Sequence, residues 1–179
     1  MPSPLWTSVV KASTQPKFAL GSSIMSSAAF QPIKALGHVH PDWMRYPAPG
    51  VYVYDFLQNE PGWCKLSLTC EAGVVVQLRH AEVLQHPPYG PEDGNVYVGN
   101  LRSAKATDVY VCKGDPDGES VEFMFTQHGF RYVELTFPGF PNQPPPTLET
   151  LTAIFTRSAV DIAGDLTFSD KMLQDVHHK

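Results

Sequence analysis

From Val51 to Thr156 apolar and polar side chains alternate with a period of two, the spacing of half-buried β-strands rather than of helices. Val51-Tyr-Val-Tyr-Asp-Phe56 is rich in β-branched and aromatic residues and predicts a strand. Trp63 to Cys70 predicts another, with Cys64, Leu66, Leu68 and Cys70 on one face and Lys65, Ser67 and Thr69 on the other. Val74, Val76 and Leu78 continue after the turn at Glu71-Ala72-Gly73, and the two runs read as a hairpin. Further strands are expected at Thr107–Lys113, with Val109 and Val111 on one face, and at Val121–Thr126, Phe130–Phe137 and Leu151–Thr156. A short strand is expected between Pro32 and Val39. The inward faces predict a core of Leu66, Leu68, Val74, Val76, Leu78, Val109, Phe125, Val133 and Phe155.

The punctuation agrees with this reading. His86–Gly94 and Pro138–Thr147 are Pro-rich loops, and Gly114-Asp-Pro-Asp-Gly118 is a turn in which Asp and Gly accept left-handed backbone and Pro presets φ. Only the tail looks helical. Ser169 is placed to cap it, Asp170 lies in the first turn, and Leu173, Val176 and His177 recur at helical spacing. Many short strands followed by one helix start predict an all-β domain, a two-sheet antiparallel β-sandwich of the jelly-roll kind, with a short C-terminal helix. Residues 1–49 read as lead-in and linker, 50–158 as the sandwich and 159–179 as a helical exit whose apolar stripe lacks a partner.

Composition narrows the picture. The 179 residues carry a formal charge of -5, which speaks against a nucleic-acid partner. With 17 Pro and 13 Gly at 42% hydrophobic residues, a turn-rich globular chain is expected rather than a disordered one. No stretch approaches the roughly 20 apolar residues of a membrane span, and the first residues do not read as a secretory signal. Cys64, Cys70 and Cys112 are read as three small buried hydrophobes, favouring a reducing, cytoplasmic setting. His38-Val39-His40 with Asp42 has a spacing that could serve a metal, but two surface histidines in a linker is the plainer reading, and neither metal nor cofactor is expected. Trp63, Tyr52, Tyr54 and Tyr89 could stack on sugar rings, although aromatic residues in strands are more often core. Asp55, Glu82, Asp108, Glu122 and Glu134 are strand-borne carboxylates, and none forms a recognisable acid–base pair in sequence.

Four ordered blocks carry a resemblance. They are Tyr52-Val-Tyr-Asp-Phe-Leu-Gln-Asn59 followed by Gly62-Trp63; Leu78-Arg-His-Ala-Glu-Val-Leu84; Asn100-Leu-Arg-Ser-Ala-Lys-Ala-Thr-Asp108 with Tyr110 and Lys113-Gly114; and Phe125-Thr-Gln-His-Gly-Phe-Arg-Tyr-Val-Glu134. Together they resemble the α-L-rhamnosidases of glycoside hydrolase family 78. The resemblance implies the concanavalin-like sandwich of such an enzyme, preceded by the end of another domain. An (α/α)6 barrel after it would carry the catalytic carboxylates and be the principal partner, with a rhamnosyl carbohydrate as ligand of the whole. A stand-alone carbohydrate-binding module is the alternative. Within the blocks, Arg79, Glu82, Arg102, Asp108, His128 and Arg131 are candidates for structural or inter-domain contacts, and no catalytic residue is assigned. Leu57 stands where the family usually has Gly; if that Gly supports a positive φ, Leu57 is strained. Glu60-Pro61 replaces an apolar-small pair, and Met124 lies near a position often polar.

Overall fold

The computed structural model describes residues 30–140, 142–161 and 163–178, so the readings made on residues 1–29 lie outside the described residues. The alternating runs become strands β1 (Ile33–Val39), β2 (Trp43–Ala48), β3 (Val51–Leu68), β4 (Val75–Ala81), β5 (Val83–Leu84) and β6 (Val96–Tyr97). They continue as β7 (Thr107–Val111), β8 (Glu119–Glu122), β9 (His128–Thr136) and β10 (Leu151–Ser158), and the tail forms helix α1 (Lys171–His178). Every pairing is antiparallel, and eight strands form one sheet in the order β1-β10-β3-β9-β4-β7, with β2 and β8 also on β3. β5 and β6 make a separate small ribbon. The all-β antiparallel expectation therefore holds, but hydrogen bonding joins the strands through β3 instead of dividing them into two sheets.

β3 is the reason. Its first half pairs with β2 and β9, and its second half with β10 and β8. Between them the register with β9 jumps from Asp55↔Tyr132 to Glu60↔Phe130, so residues 56–59 face Arg131 alone. A bulge this wide bends a strand and sharpens its twist, which lets one strand serve both halves of a curled sheet. Beyond the bend β3 closes on β10. A Cβ on Gly62 would lie 2.3 Å from the Ile154 carbonyl oxygen, so only glycine fits there. Both halves line one core: Tyr52, Tyr54 and Phe56 come from before the bend, Cys64 and Leu66 from after it, with Val76, Leu78, Val133, Leu135, Leu151 and Phe155.

Several expectations need correction. The Glu71-Ala72-Gly73 turn does not close a hairpin, since β4 pairs with β9 and β7 and the turn carries the chain from one half of the sheet to the other. Val109 is 55% exposed. Strand β7 sets Asp108 and Tyr110 opposite core residues Leu78 and Val76, so its inward positions are the even ones, and the valines occupy the outer face. Phe125 is fully exposed in the turn between β8 and β9, with φ +68; Phe123 packs on the core instead. Leu68 is half-buried, and the other six expected core residues are buried. β1 and β2 fall in the stretch read as lead-in, yet both hydrogen-bond into the sheet. Asp170, not Ser169, caps α1: its Oδ1 accepts from the backbone N–H groups of Met172 and Leu173 at 2.8 and 3.2 Å.

The cysteine reading is overturned as well. Cys70 and Cys112 form a disulfide between the end of β3 and the residue after β7, with Cα atoms 6.3 Å apart. Their sequence separation of 42 hid a proximity that the curled sheet creates. Cys64 alone is the buried thiol that was expected, and burial pushes its pKa far up. The cysteines thus give no argument for a reducing compartment.

Candidate functional site

The bulge in β3 is built around Asp55, a carboxylate with no exposed surface. Its Oδ1 accepts the Leu57 N–H at 2.6 Å, and Arg131 donates through Nε and Nη2 to its two oxygens at 2.8 Å each. Arg131 is the residue that the bulge leaves without a partner on β3, and its side chain turns to Asp55. This fork-on-fork pair fixes orientation as well as charge. Leu57 itself adopts φ +66, the conformation expected for the Gly position of the family motif.

A second carboxylate ties the bulge to its surroundings. Glu82, between β4 and β5, accepts from Asn59 Nδ2 at 3.4 Å and from Asn100 Nδ2 at 2.7 Å. Asn59 belongs to the bulge, and Asn100 to the 3-10 turn at Gly99–Leu101. Three of the four sequence blocks therefore meet at Glu82, and the fourth passes close by, since a Cβ on Gly129 would come within 3.8 Å of its Oε1. Arg79 lies opposite Glu134 on β9 and Thr107 on β7. Burial raises the Glu134 pKa, and the charge of Arg79 opposes that rise. Arg102 is exposed just beyond the 3-10 turn at φ +55 and joins no ion pair among the described residues.

Asp108 and His128 come together on β7 and β9, the His128 Nε2 lying 3.2 Å from both carboxylate oxygens and 3.1 Å from Thr126 Oγ1. With them is His80 of β4, fully buried, its ring stacked on His128 at 4.1 Å and set edge-on to Phe130. Burial first, then the neighbouring His128, pull the His80 pKa down to about 4, so its ring is neutral near pH 7. His80 lies inside the Arg-His-Ala-Glu block, but nothing in the sequence separates a core histidine from a clustered one.

Glu119 is the site that sequence reasoning missed. Nearly buried at the start of β8, it accepts from Tyr110 Oη at 2.6 Å and from the backbone N–H groups of Lys113, Gly114 and Asp115 at 2.9, 2.8 and 3.3 Å. These donors hold its pKa down at about 2, the Lys113 N–H contributing most. A carboxylate cradled by successive amides pins the 112–118 turn beside the disulfide. The only available signal was the turn that precedes it.

The other candidates are engaged elsewhere. Glu122 accepts from Trp63 Nε1 at 2.9 Å. Tyr52 and Tyr54 are buried, with Tyr54 donating to the Thr147 carbonyl at 3.0 Å. Tyr89 is exposed, against His86 and Tyr97. His38 lies in β1, and neither His38 nor His40 joins a group able to hold a metal among the described residues.

In this all-β domain the carboxylates of Asp55, Asp108 and Glu119 are bound by groups of its own strands and turns. The family model for the bacterial alpha-L-rhamnosidase concanavalin-like domain matches residues 45–156, more than half of the chain, and the chain belongs to that family. An alpha-L-rhamnosidase of Streptomyces avermitilis is 50% identical over 104 residues, which are 58% of this chain and 9% of that protein. One from Alteromonas sp. is 27% identical over 168 residues, 94% of this chain and 17% of that protein. The solved alpha-L-rhamnosidase of Dictyoglumus thermophilum superposes with a TM-score of 0.72 at 39% identity, over 85% of this chain and 16% of that one. The Streptomyces avermitilis structure complexed with L-rhamnose gives 0.70 at 37% identity, over 83% of this chain and 13% of that one. The chain therefore spans less than a fifth of the length of these relatives.

Proposed function

We propose that these residues serve as the accessory β-sandwich of an alpha-L-rhamnosidase, the two halves of the curled sheet acting as its two layers. Hydrolysis of terminal α-L-rhamnose from glycosides would be done by acid and base carboxylates of an (α/α)6 barrel outside this stretch. The observation that carries the reading is the small share of each rhamnosidase that the chain matches, combined with inner carboxylates already bound to Arg131, His128, asparagine amides and backbone amides. Inverting glycosidases need two carboxyl groups about 6.5–9.5 Å apart with room for a water between them. In this reading Arg79, Glu82, Arg102, Asp108, His128 and Arg131 shape the loops that meet the barrel. The exposed Met172, Leu173 and Val176 of α1 face it.

The experiment is a rhamnosidase assay on the purified 179-residue chain with an aryl α-L-rhamnoside. No turnover above buffer is expected. Turnover that persists through repurification and vanishes in Glu82→Gln would overturn the accessory role.

A stand-alone carbohydrate-binding module is favoured by one observation, the exposed Tyr89 ring beside His86 and Tyr97. Saturable L-rhamnose binding by the chain, abolished in Tyr89→Ala, would support that reading over the first.

A further inference from the structure

His80, Asp108 and His128 project from three neighbouring strands, β4, β7 and β9, and their ligand-capable atoms all lie within 4.8 Å of one another. The Ala106 carbonyl decides the state of His80. It accepts from the His80 backbone N–H at 2.8 Å and lies 3.3 Å from Nδ1. A carbonyl can only accept, so the ring proton sits on Nδ1 and Nε2 carries a bare lone pair. That Nε2 is buried, has no hydrogen-bond partner among the described residues and lies 3.9 Å from Asp108 Oδ2. The pairing of Asp108 with His128 accounts for those two side chains. It leaves a lone pair facing a carboxylate in a buried site, where an unmet acceptor is costly.

We infer that His80 Nε2, His128 Nε2 and the Asp108 carboxylate form a binding site for a zinc-like divalent transition-metal cation. A metal ion satisfies a lone pair and a carboxylate together, and it also recruits the second imidazole. Two imidazoles and a carboxylate suit a borderline cation such as zinc rather than calcium or magnesium. Zinc bonds of about 2.0–2.2 Å place tetrahedral ligand atoms about 3.4 Å apart. The present separations from Asp108, 3.2 Å for His128 and 3.9 Å for His80, are close to this. The Nδ1 contact to Ala106, a residue held at φ +45, is the outer partner that orients a metal-bound histidine. Two parallel stacked rings cannot aim both Nε2 atoms at one ion, so His128 turns out of the stack on binding while His80 stays. His128 and Asp108 side chains are 13% and 10% exposed, which gives the ion an entrance and leaves one position for water. The site departs from the expectation of no metal, and it holds or fails independently of the rhamnosidase role.

The test is titration of zinc chloride into the chelator-treated full chain, followed by calorimetry and by NMR of the histidine ring nitrogens. One equivalent should bind, the Nε2 signals of His80 and His128 should shift together, and His80 Nδ1 should stay protonated. Asp108→Asn and His128→Gln, checked for folding, should each weaken binding by at least about tenfold. A variant with the other histidines of the tail and β1 changed, His38→Gln, His177→Gln and His178→Gln, should keep it. Unshifted Nε2 signals in the folded wild-type chain, or zinc affinity unchanged in both ligand variants, would overturn the site, and the NMR outcome needs no variant to fold.

Discussion

Leu57 is the residue at which local preference and fold disagree most openly. A side chain at φ +66 brings Cβ against the following carbonyl, at a cost of about 1–2 kcal/mol. It persists because Asp55 holds the Leu57 N–H while Arg131 holds Asp55. Leu57 is 54% exposed, so losing its side chain forfeits little burial. Leu57→Gly is therefore expected to be neutral or to stabilise by up to about 1 kcal/mol after the chain-entropy loss of Gly. Urea denaturation measures it, and a destabilisation above about 1 kcal/mol would mean that the leucine contributes packing that outweighs its strain. The core residues offer a contrast. Leu66 is fully buried and Phe125 fully exposed. Leu66→Ala should cost about 2–5 kcal/mol, and Phe125→Ala under about 0.5 kcal/mol; comparable losses would show the β8–β9 turn to be wrongly placed.

Among the elements, the 112–118 turn and α1 mark the extremes of support. The turn is fastened by Glu119, whose pKa is about 2 against an ordinary 4.5. A carboxylate depressed in the folded state is protonated more readily in the unfolded chain between those values. Its contribution is complete above about pH 4.5 and is lost as pH falls towards 2. Stability followed by chemical denaturation should drop across that window, and Glu119→Gln should flatten the drop. An identical acid profile in the variant would remove Glu119 from the account. Helix α1 has eight residues, below the roughly 12–15 at which isolated helices become stable. Its cap at Asp170 and the Phe168 contacts to Gln174 and His177 are local, and Met172, Leu173 and Val176 are exposed. Amide exchange from Met172 to His178 is expected to be fast beside slow exchange in Leu66 and Leu78. Equal protection would show that α1 is docked.

At the scale of the whole molecule, one covalent link reinforces a junction that the strands also make, since the Cys112 backbone hydrogen-bonds Gly73 and Val74. Cys70–Cys112 closes a loop across 42 residues, fixing the start of the crossover to the edge strand β7. Restricting the unfolded chain over such a loop stabilises by about 2–4 kcal/mol. Reduction under non-denaturing conditions, or Cys70→Ser with Cys112→Ser, should lower the unfolding midpoint accordingly. An unchanged midpoint would mean that the thiols are not bridged in the folded protein.

The period of two placed strands at β3, β4 and β7 to β10, though it read β3 as two strands and missed the short β5 and β6, because alternation is a property of neighbouring residues and needs no knowledge of partners. The four blocks likewise carried the family, and the Gly-to-Leu departure at 57 was readable from the motif alone. Partners were another matter. Whether Val109 or Asp108 faces the core depends on which strand lies beside β7, and the turn after Cys70 reads the same whether its strands pair or part. The disulfide and the meeting of His80 with Asp108 and His128 join residues tens of positions apart, while the Glu119 cradle is local in sequence but needs the turn's backbone geometry to form. The distant contacts follow from strand pairing, since β4 lies between β7 and β9 and the backbone of Cys112 hydrogen-bonds Gly73 and Val74. The pattern along the chain determined which residues form strands, while the pairing of those strands in the tertiary structure decided which of them meet.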